Sequence, residues 1–309
     1  MKTLRYAGEA ALLTLLLGLC GLLPVDAASA MGGWLGRTVG PRLAASRKAL
    51  DNLKHAMPEL DEPARSQVIR DMWDNLGRVM TEYPHLEKIA RTRTTVTNME
   101  LFDRVRDDGK PAIFIAAHLA NWEVLGPTAS IQCGFPLDVV YRAPNNPWSD
   151  RLLKKMRAIG KDVRSAPKSR AGARTLLKSL QDNRHVGILF DQKYNEGVPA
   201  PFFGRPAMTS AAFIHFVQKF DCPLVMIHLE RLGGAHFRAT ALELPYKDGN
   251  GKLLPTQEVL AAAHGILENW ILARPGQWLW LHRRWSERAE REYRANLAAS
   301  DLPEPDRPL

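Results

Sequence analysis

Cysteine is scarce in this chain: three residues in 309, Cys20, Cys133 and Cys222, with no CxxC pair. An odd, scattered set suggests neither a disulfide framework nor a cysteine-rich zinc site, and it fits a reducing compartment. The H-E-x-x-H pattern that marks one class of zinc hydrolase is missing, and so is the G-x-S-x-G elbow of serine hydrolases. No internal repeat or low-complexity tract occurs, so a solenoid is not expected. Nothing in the middle reads as a flexible linker. Only the Pro-rich ending SDLPEPDRPL looks frayed, and residues 291–309 are expected to form a disordered tail.

What is present is an ordinary globular composition, 45% hydrophobic and 24% charged, on a chain long enough to bury a sizeable core. Lys and Arg number 42 against 33 Asp and Glu, a net charge of +9. That balance suits an anionic partner, whether phosphate-bearing lipid, nucleic acid or an acidic protein, and charge alone does not choose among them.

The N-terminus is more specific. After Lys2 and Arg5, residues 10–25 (AALLTLLLGLCGLLPV) run without a charge. As a helix this stretch reaches roughly 24 Å, short of a hydrocarbon core of about 30 Å, so it lies in the membrane interface or spans marginally. Ala28-Ser29-Ala30 imitates a signal-peptidase site, which makes a cleaved secretory signal the rival reading. Two features favour retention: the small residues Ala11, Thr14, Gly18 and Gly21 form a stripe suited to close helix packing, and basic residues continue at Arg37, Arg42, Arg47 and Lys48. Residues 1–30 are therefore expected to be a membrane anchor or interfacial helix, with the body of the protein on the cytoplasmic side.

Residues 44–90 carry helical periodicity, broken at Pro58, with Val68, Met72, Leu76 and Val79 at three- and four-residue spacing. Beyond residue 111, apolar runs at 112–117, 137–141, 185–190 and 223–229 are separated by helix-like segments. Strands interleaved with helices predict an α/β fold with a central, mostly parallel sheet flanked by helices, over residues 31–290. Residues 236–244 alternate like a further strand, antiparallel and at an edge.

The run AIFIAA (112–117) predicts a strand buried on both faces, which places His118 near its C-terminal end, where open α/β sheets put their ligands. Glu123 follows five residues later. In a continuous helix that spacing rotates the two by about 140°. A loop histidine followed by a helix beginning at 119–121 brings the glutamate back beneath the imidazole. A carboxylate on one ring nitrogen fixes the tautomer and leaves the other free to take a proton from a hydroxyl. The bland alternative is a strand-end histidine beside an ordinary salt bridge.

Neighbouring segments add context. Ser149 is a natural N-cap for a helix ending near Gly160, whose Leu152, Met156 and Ile159 face inward and whose Arg151, Lys154 and Lys155 face out. Arg157 belongs to neither group and projects from the other flank. Residues 151–174 hold nine Lys or Arg and one Asp, an asymmetry suited to an anionic ligand or to a solvated basic face. The segment 187–210 starts as a strand, exposes Asp191 and Gln192 at its end, and continues as a Gly/Pro-rich loop through Phe202 and Phe203, either site contacts or core. The end QWLWLHRRW (277–285) reads as an interfacial aromatic belt or as buried aromatics on a strand.

Together, HLANWE (118–123), YRAPNNP (141–147), the FDQ step (190–192), VPAPFFGRPAMT (198–209) and WLWLHRRW (278–285) make the chain resemble the lipid A biosynthesis acyltransferases of the lysophospholipid acyltransferase superfamily. The resemblance implies transfer of a fatty acyl chain from acyl carrier protein to a hydroxyl of a lipid A precursor, at the cytoplasmic face of the inner membrane, with no cofactor, no metal and no nucleic acid. It implies His118 as general base and Glu123 as its partner, with direct transfer and no acyl-enzyme. The candidate substrate contacts are Arg157, Asn121, Arg142, Asp191, Gln192, Phe202, Phe203 and Arg164. Two departures, Ala120 where many members have glycine and TSAAF (209–213) without a glycine, bear on chain length and acceptor detail. The rival activities are acylation of a lysophospholipid or an aminoacyl lipid and, from another class, an anion-binding module without turnover.

Overall fold

In the computed structural model, residues 2–141, 143–160, 162–167 and 170–285 are described. The chain opens with helices α1 (Lys2–Leu22) and α2 (Val25–Val39), followed by α3 (Ser46–Ala56), α4 (Glu62–Glu82) and α5 (Leu86–Thr92). Strand β1 (Thr94–Thr97) and helix α6 (Met99–Asp107) lead into β2 (Ile113–Ala116) and α7 (Leu125–Ile131). Then come β3 (Leu137–Tyr141), α8 (Pro147–Arg157), β4 (Val163–Pro167), α9 (Arg170–Gln181) and β5 (His185–Leu189). A hairpin of β6 (Val198–Phe202) and β7 (Arg205–Thr209) precedes α10 (Ala212–Phe220), β8 (Leu224–Gly233), β9 (His236–Glu243) and α11 (Thr256–Ala273).

Seven strands form one sheet in the order β1-β9-β8-β2-β5-β3-β4, and β6-β7 pair separately. Strands β8, β2, β5, β3 and β4 run parallel; β9 turns back antiparallel on β8, and β1 pairs parallel with β9. The expected mostly parallel α/β sheet is therefore present. Strand β9 does not form the edge, however, because the short β1, which carries little apolar signal, covers it. Both faces of the central β2 are filled, and all four of its residues are buried, which is why its sequence is apolar without alternation.

Several helix boundaries differ from expectation for local reasons. Helix α8 starts three residues early because Asn146, not Ser149, caps it, its side chain accepting from the Trp148 and Ser149 amides. The small-residue stripe of α1 does not make a close helix contact: a methyl group at Gly18 would meet open space, and one at Gly21 only Pro84. Close packing occurs one helix later. A Cβ at Gly36 would lie 2.0 Å from the Trp73 carbonyl oxygen and one at Gly77 2.0 Å from that of Gly32, so α2 and α4 touch backbone to backbone.

Two buried histidines set an acid limit on the fold. Burial pushes His185 down to about 4, and burial together with the neighbouring Arg284 charge pushes His264 down to about 3, from an ordinary 6.5. Both are neutral in the folded protein, whereas the unfolded chain protonates them below pH 6.5. Their contribution is complete above pH 6.5 and is lost as pH falls toward 4 and 3, by up to about 1.4 kcal/mol per group per pH unit. The melting temperature is expected to drop steadily from pH 6.5 to 4; a flat profile over that window contradicts the assignment of these two rings as neutral.

Candidate active site

The register of two adjacent parallel strands builds the centre of the site. Ile113 pairs with Val186 and Ala116 with Leu189. Continuing that offset two residues past both strand ends sets His118 opposite Asp191. His118 Nδ1 lies 2.7 Å from Asp191 Oδ1, and the His118 backbone N–H donates to Asp191 Oδ2 at 3.0 Å. The Trp278 indole donates to the same Oδ2 at 2.8 Å. Burial raises the Asp191 carboxyl, but the His118 charge, the two His118 hydrogen bonds and the indole outweigh it and hold the group at about 2. A carboxylate fixed this way accepts the Nδ1–H hydrogen bond and leaves Nε2 as the basic nitrogen. Gln192 Nε2 sits 3.1 Å from His118 Nε2 and 3.2 Å from His282 Nε2, and the Trp122 ring stands edge-on to the imidazole at 5.0 Å.

Glu123 is not the partner of the imidazole. Its two carboxylate oxygens accept from Arg157 Nε and Nη2, each at 2.6 Å, and Arg157 Nη2 also donates to the Tyr83 hydroxyl at 2.8 Å. The reason is local. Ala120 is buried with φ +50°, and residues 122–124 form a 3-10 turn that runs straight into α7, which carries Glu123 toward α8. The left-handed backbone at Ala120 is a conformation that glycine adopts without strain. Glu123 draws on Arg157, whose odd place on the helical wheel is thereby explained.

The turn between the two functional side chains is clamped from below. Asn121, fully buried, donates to Glu82 Oε2 at 2.7 Å and caps the 3-10 turn through its carbonyl oxygen, so it positions the loop rather than facing a ligand. Glu82 also accepts from Ser29 Oγ and from Arg231 Nη1, both at 2.6 Å, while Arg231 Nε donates to Asn75, whose amide donates to the Ala120 carbonyl at 2.9 Å. Glu82→Gln leaves a buried guanidinium without its counter-charge. It is expected to cost about 3–5 kcal/mol of stability, and to lower activity even below the variant's melting range because the 119–121 turn loses its anchor. Wild-type melting and activity in this variant would show the clamp to be incidental.

His118, Glu123, Arg157, Gln192 and His282 all line one cavity of about 720 Å³, within the range of about 300–1,000 Å³ typical of ligand sites. The rest of its wall is largely apolar, including Val96, Phe102, Phe114, Leu137, Val139 and Ile227. Over residues 1–287 the sequence matches the family described as bacterial lipid A biosynthesis acyltransferase. The chain belongs to that family. Among curated proteins it is 25% identical to the lipid A biosynthesis palmitoleoyltransferase of Escherichia coli (strain K12), over 86% of this chain and 87% of that one. The lipid A biosynthesis acyltransferase of Shigella flexneri is similar to the same extent, 25% over the same shares. Acyl transfer in lipid A synthesis is thus the activity class of this chain.

For a lipid A acyltransferase, the remaining expected contacts divide sharply. Gln192 is in the cavity, and Asp191 sits behind His118 as its partner. Phe202 is fully buried core, stacked on Trp285 and edge-on to Trp278, because the expected loop is the β6-β7 hairpin and its alternation turns Phe202 inward. Phe203 occupies the hairpin turn at φ +51° and does not line the cavity. Arg164 is exposed on the edge strand β4, 3.3 Å from Asp162, and also lies outside the cavity wall. Arg142 and the tail 291–309 fall outside the described residues. The aromatic ending is neither a belt nor a strand: Trp278 and Trp280 are buried, and the segment closes over the site through the Gln277 carbonyl to Ala120 and Leu279 N–H to the His118 carbonyl. His282 was missed as a site residue because its segment gives an aromatic signal, and only this chain closure reveals its place. Burial pushes the thiols of Cys133 and Cys222 up to about 11 and about 12, which keeps both protonated and poorly nucleophilic.

Proposed function

We propose that this acyltransferase moves a fatty acyl group from the thioester of acyl carrier protein to a hydroxyl of a lipid A precursor, at the cytoplasmic face of the inner membrane. The observation that carries this reading is His118, anchored through Nδ1 by an ionised Asp191, with Nε2 in an apolar-walled cavity. In the proposed reaction Nε2 takes the proton of the acceptor hydroxyl as its oxygen attacks the thioester carbonyl carbon. The tetrahedral adduct collapses with cleavage of the C–S bond, and the imidazolium returns the proton to the leaving thiolate. The products are an ester and free carrier thiol, so the thioester itself supplies the activation and no cofactor enters the scheme.

Arg157, held rigid by Glu123 and Tyr83, and the Gln192 amide are the donors placed to meet negative charge developing on the carbonyl oxygen. Once the acceptor hydroxyl occupies Nε2, the Gln192 amide is released from it. The apolar wall of the cavity accommodates the acyl chain. Lipid A mass spectra from a strain lacking this protein test the reading in the cell. The expected spectrum lacks one secondary acyl group, restored by the wild-type chain and not by His118→Ala. Unchanged lipid A with altered phospholipid or aminoacyl-lipid profiles would instead favour another lipid acceptor.

A further inference from the structure

Helix α1 is long enough, at about 31 Å, to cross a hydrocarbon core of about 30 Å, and its window Thr3–Leu22 is apolar enough to do so. Its contacts are those of a different arrangement. Near its start, Asn146 of α8 donates to the Tyr6 carbonyl at 2.8 Å and lies 3.2 Å from Glu9 Oε2. Near its end, His85 Nε2 meets the Cys20 carbonyl at 3.0 Å, and Gly21 approaches Pro84. Between these ties Leu13 and Leu17 join the cluster that contains Tyr83, Trp122, Leu152, Leu153 and Met156. Tyr83, Trp122 and Leu153 also line the cavity.

The two faces of α1 are distinct although both are apolar. Ala10, Leu13, Leu17 and Cys20, at helical spacing, are turned to the body, while Leu12, Leu15, Leu16 and Leu19 are each more than half exposed. Exposed Met31, Trp34, Leu35 and Val39 continue the apolar surface on α2, and exposed Arg42, Arg47 and Lys48 follow. A helix tied at both ends to a body with charged surface cannot stand upright in a bilayer without drawing that surface into hydrocarbon, which is prohibitive. We infer that α1 lies in the plane of the membrane, its outer leucines sunk into one leaflet of anionic phospholipid and its inner face packed behind Tyr83, Trp122 and Leu153, which wall the acyl-transfer cavity.

The basic residues that follow supply the charge complementary to such a leaflet. The arrangement holds the cavity beside the leaflet, with α1 packed between lipid and the wall residues Tyr83, Trp122 and Leu153. This inference rests on the membrane-surface reading of the protein but not on the chemistry at His118.

The test uses the full chain with a protease-cleavable tag at each end, produced in bacterial cells and examined in inverted inner-membrane vesicles. Added protease is expected to remove both tags at similar rates. In vesicles of phosphatidylethanolamine and phosphatidylglycerol, a fluorophore on Leu16→Cys is expected to be quenched by brominated acyl chains; the three native cysteines are buried and do not compete. The pair Leu15→Lys and Leu16→Lys is expected to weaken vesicle partitioning by at least about tenfold with an unchanged melting temperature. Protection of the N-terminal tag while the C-terminal tag is cut overturns the inference, since α1 then crosses. Absence of binding to either vesicle type overturns it together with the membrane-surface reading, and loss of acyl transfer with both tags still cut leaves it standing.

Discussion

Replacing His118 by alanine is expected to lower the acyl-transfer rate by about 10²–10⁴-fold, the usual contribution of a positioned general base. Fold and substrate binding should be little changed. The side chain is only 13% exposed and stands edge-on to Trp122, and its removal leaves the residue-118 backbone N–H and the Trp278 indole donating to Asp191. The loss should fall on kcat, because the imidazole acts on a proton that moves only as the hydroxyl attacks. Steady-state kinetics on the purified variant, with a melting curve to show that it is folded, measure this directly. A variant that is folded and retains most of the wild-type kcat removes His118 from the chemistry.

Asp191→Asn carries the second large effect. The carboxylate meets three N–H donors, the His118 imidazole and backbone and the Trp278 indole. An asparagine offers one acceptor oxygen and turns an NH2 group toward the remaining donors, leaving buried polar hydrogens unmatched at a cost of about 1–3 kcal/mol. The imidazole loses both its tautomer lock and its counter-charge, and the rate is expected to fall by about 10²-fold or more. Because the wild-type carboxyl is held at about 2, below its ordinary 3.8, its stabilising contribution is complete above pH 4 and is lost only as pH falls toward 2. The wild-type Asp191 carboxylate therefore stays ionised across neutral pH. Glu123→Gln makes the comparison informative, since it loosens Arg157 but leaves the imidazole anchored. If Glu123→Gln abolishes activity and Asp191→Asn does not, the imidazole depends on the local carboxylate after all.

The contrast between these two carboxylates shows where the sequence was legible. The strand 112–117, the position of His118 at its end and the outlying Arg157 follow from local patterns of apolarity and helical phase, and the structure keeps them. The identity of the histidine's partner does not follow from local pattern. Asp191 is 73 residues away and meets His118 because β2 and β5 pair in one register, a property of the whole sheet. Glu123 is misread for the converse reason: a five-residue spacing suggests a return to the imidazole, but a left-handed turn at Ala120 and a single 3-10 turn send it elsewhere.

Phe202 and Arg164 fail for related reasons. Motif membership places a residue near a site in sequence, whereas strand alternation decides whether it faces ligand, core or solvent. His282 and the Glu82-Arg231-Asn75 clamp come from distant segments and become visible only once the chain has closed over the loop.

The measurement that reaches the central claim most directly is product mass after incubating the purified protein with acyl carrier proteins bearing different acyl chains and a tetra-acylated lipid A precursor. Proposed chemistry requires the precursor to gain the mass of one fatty acid less one water, with one free carrier thiol released per product and no acyl group retained on the protein. His118→Ala should give neither product nor thiol release above background. An unmodified precursor in the presence of folded wild-type protein and loaded carrier, or an acyl group found covalently on the enzyme, would contradict direct transfer at His118.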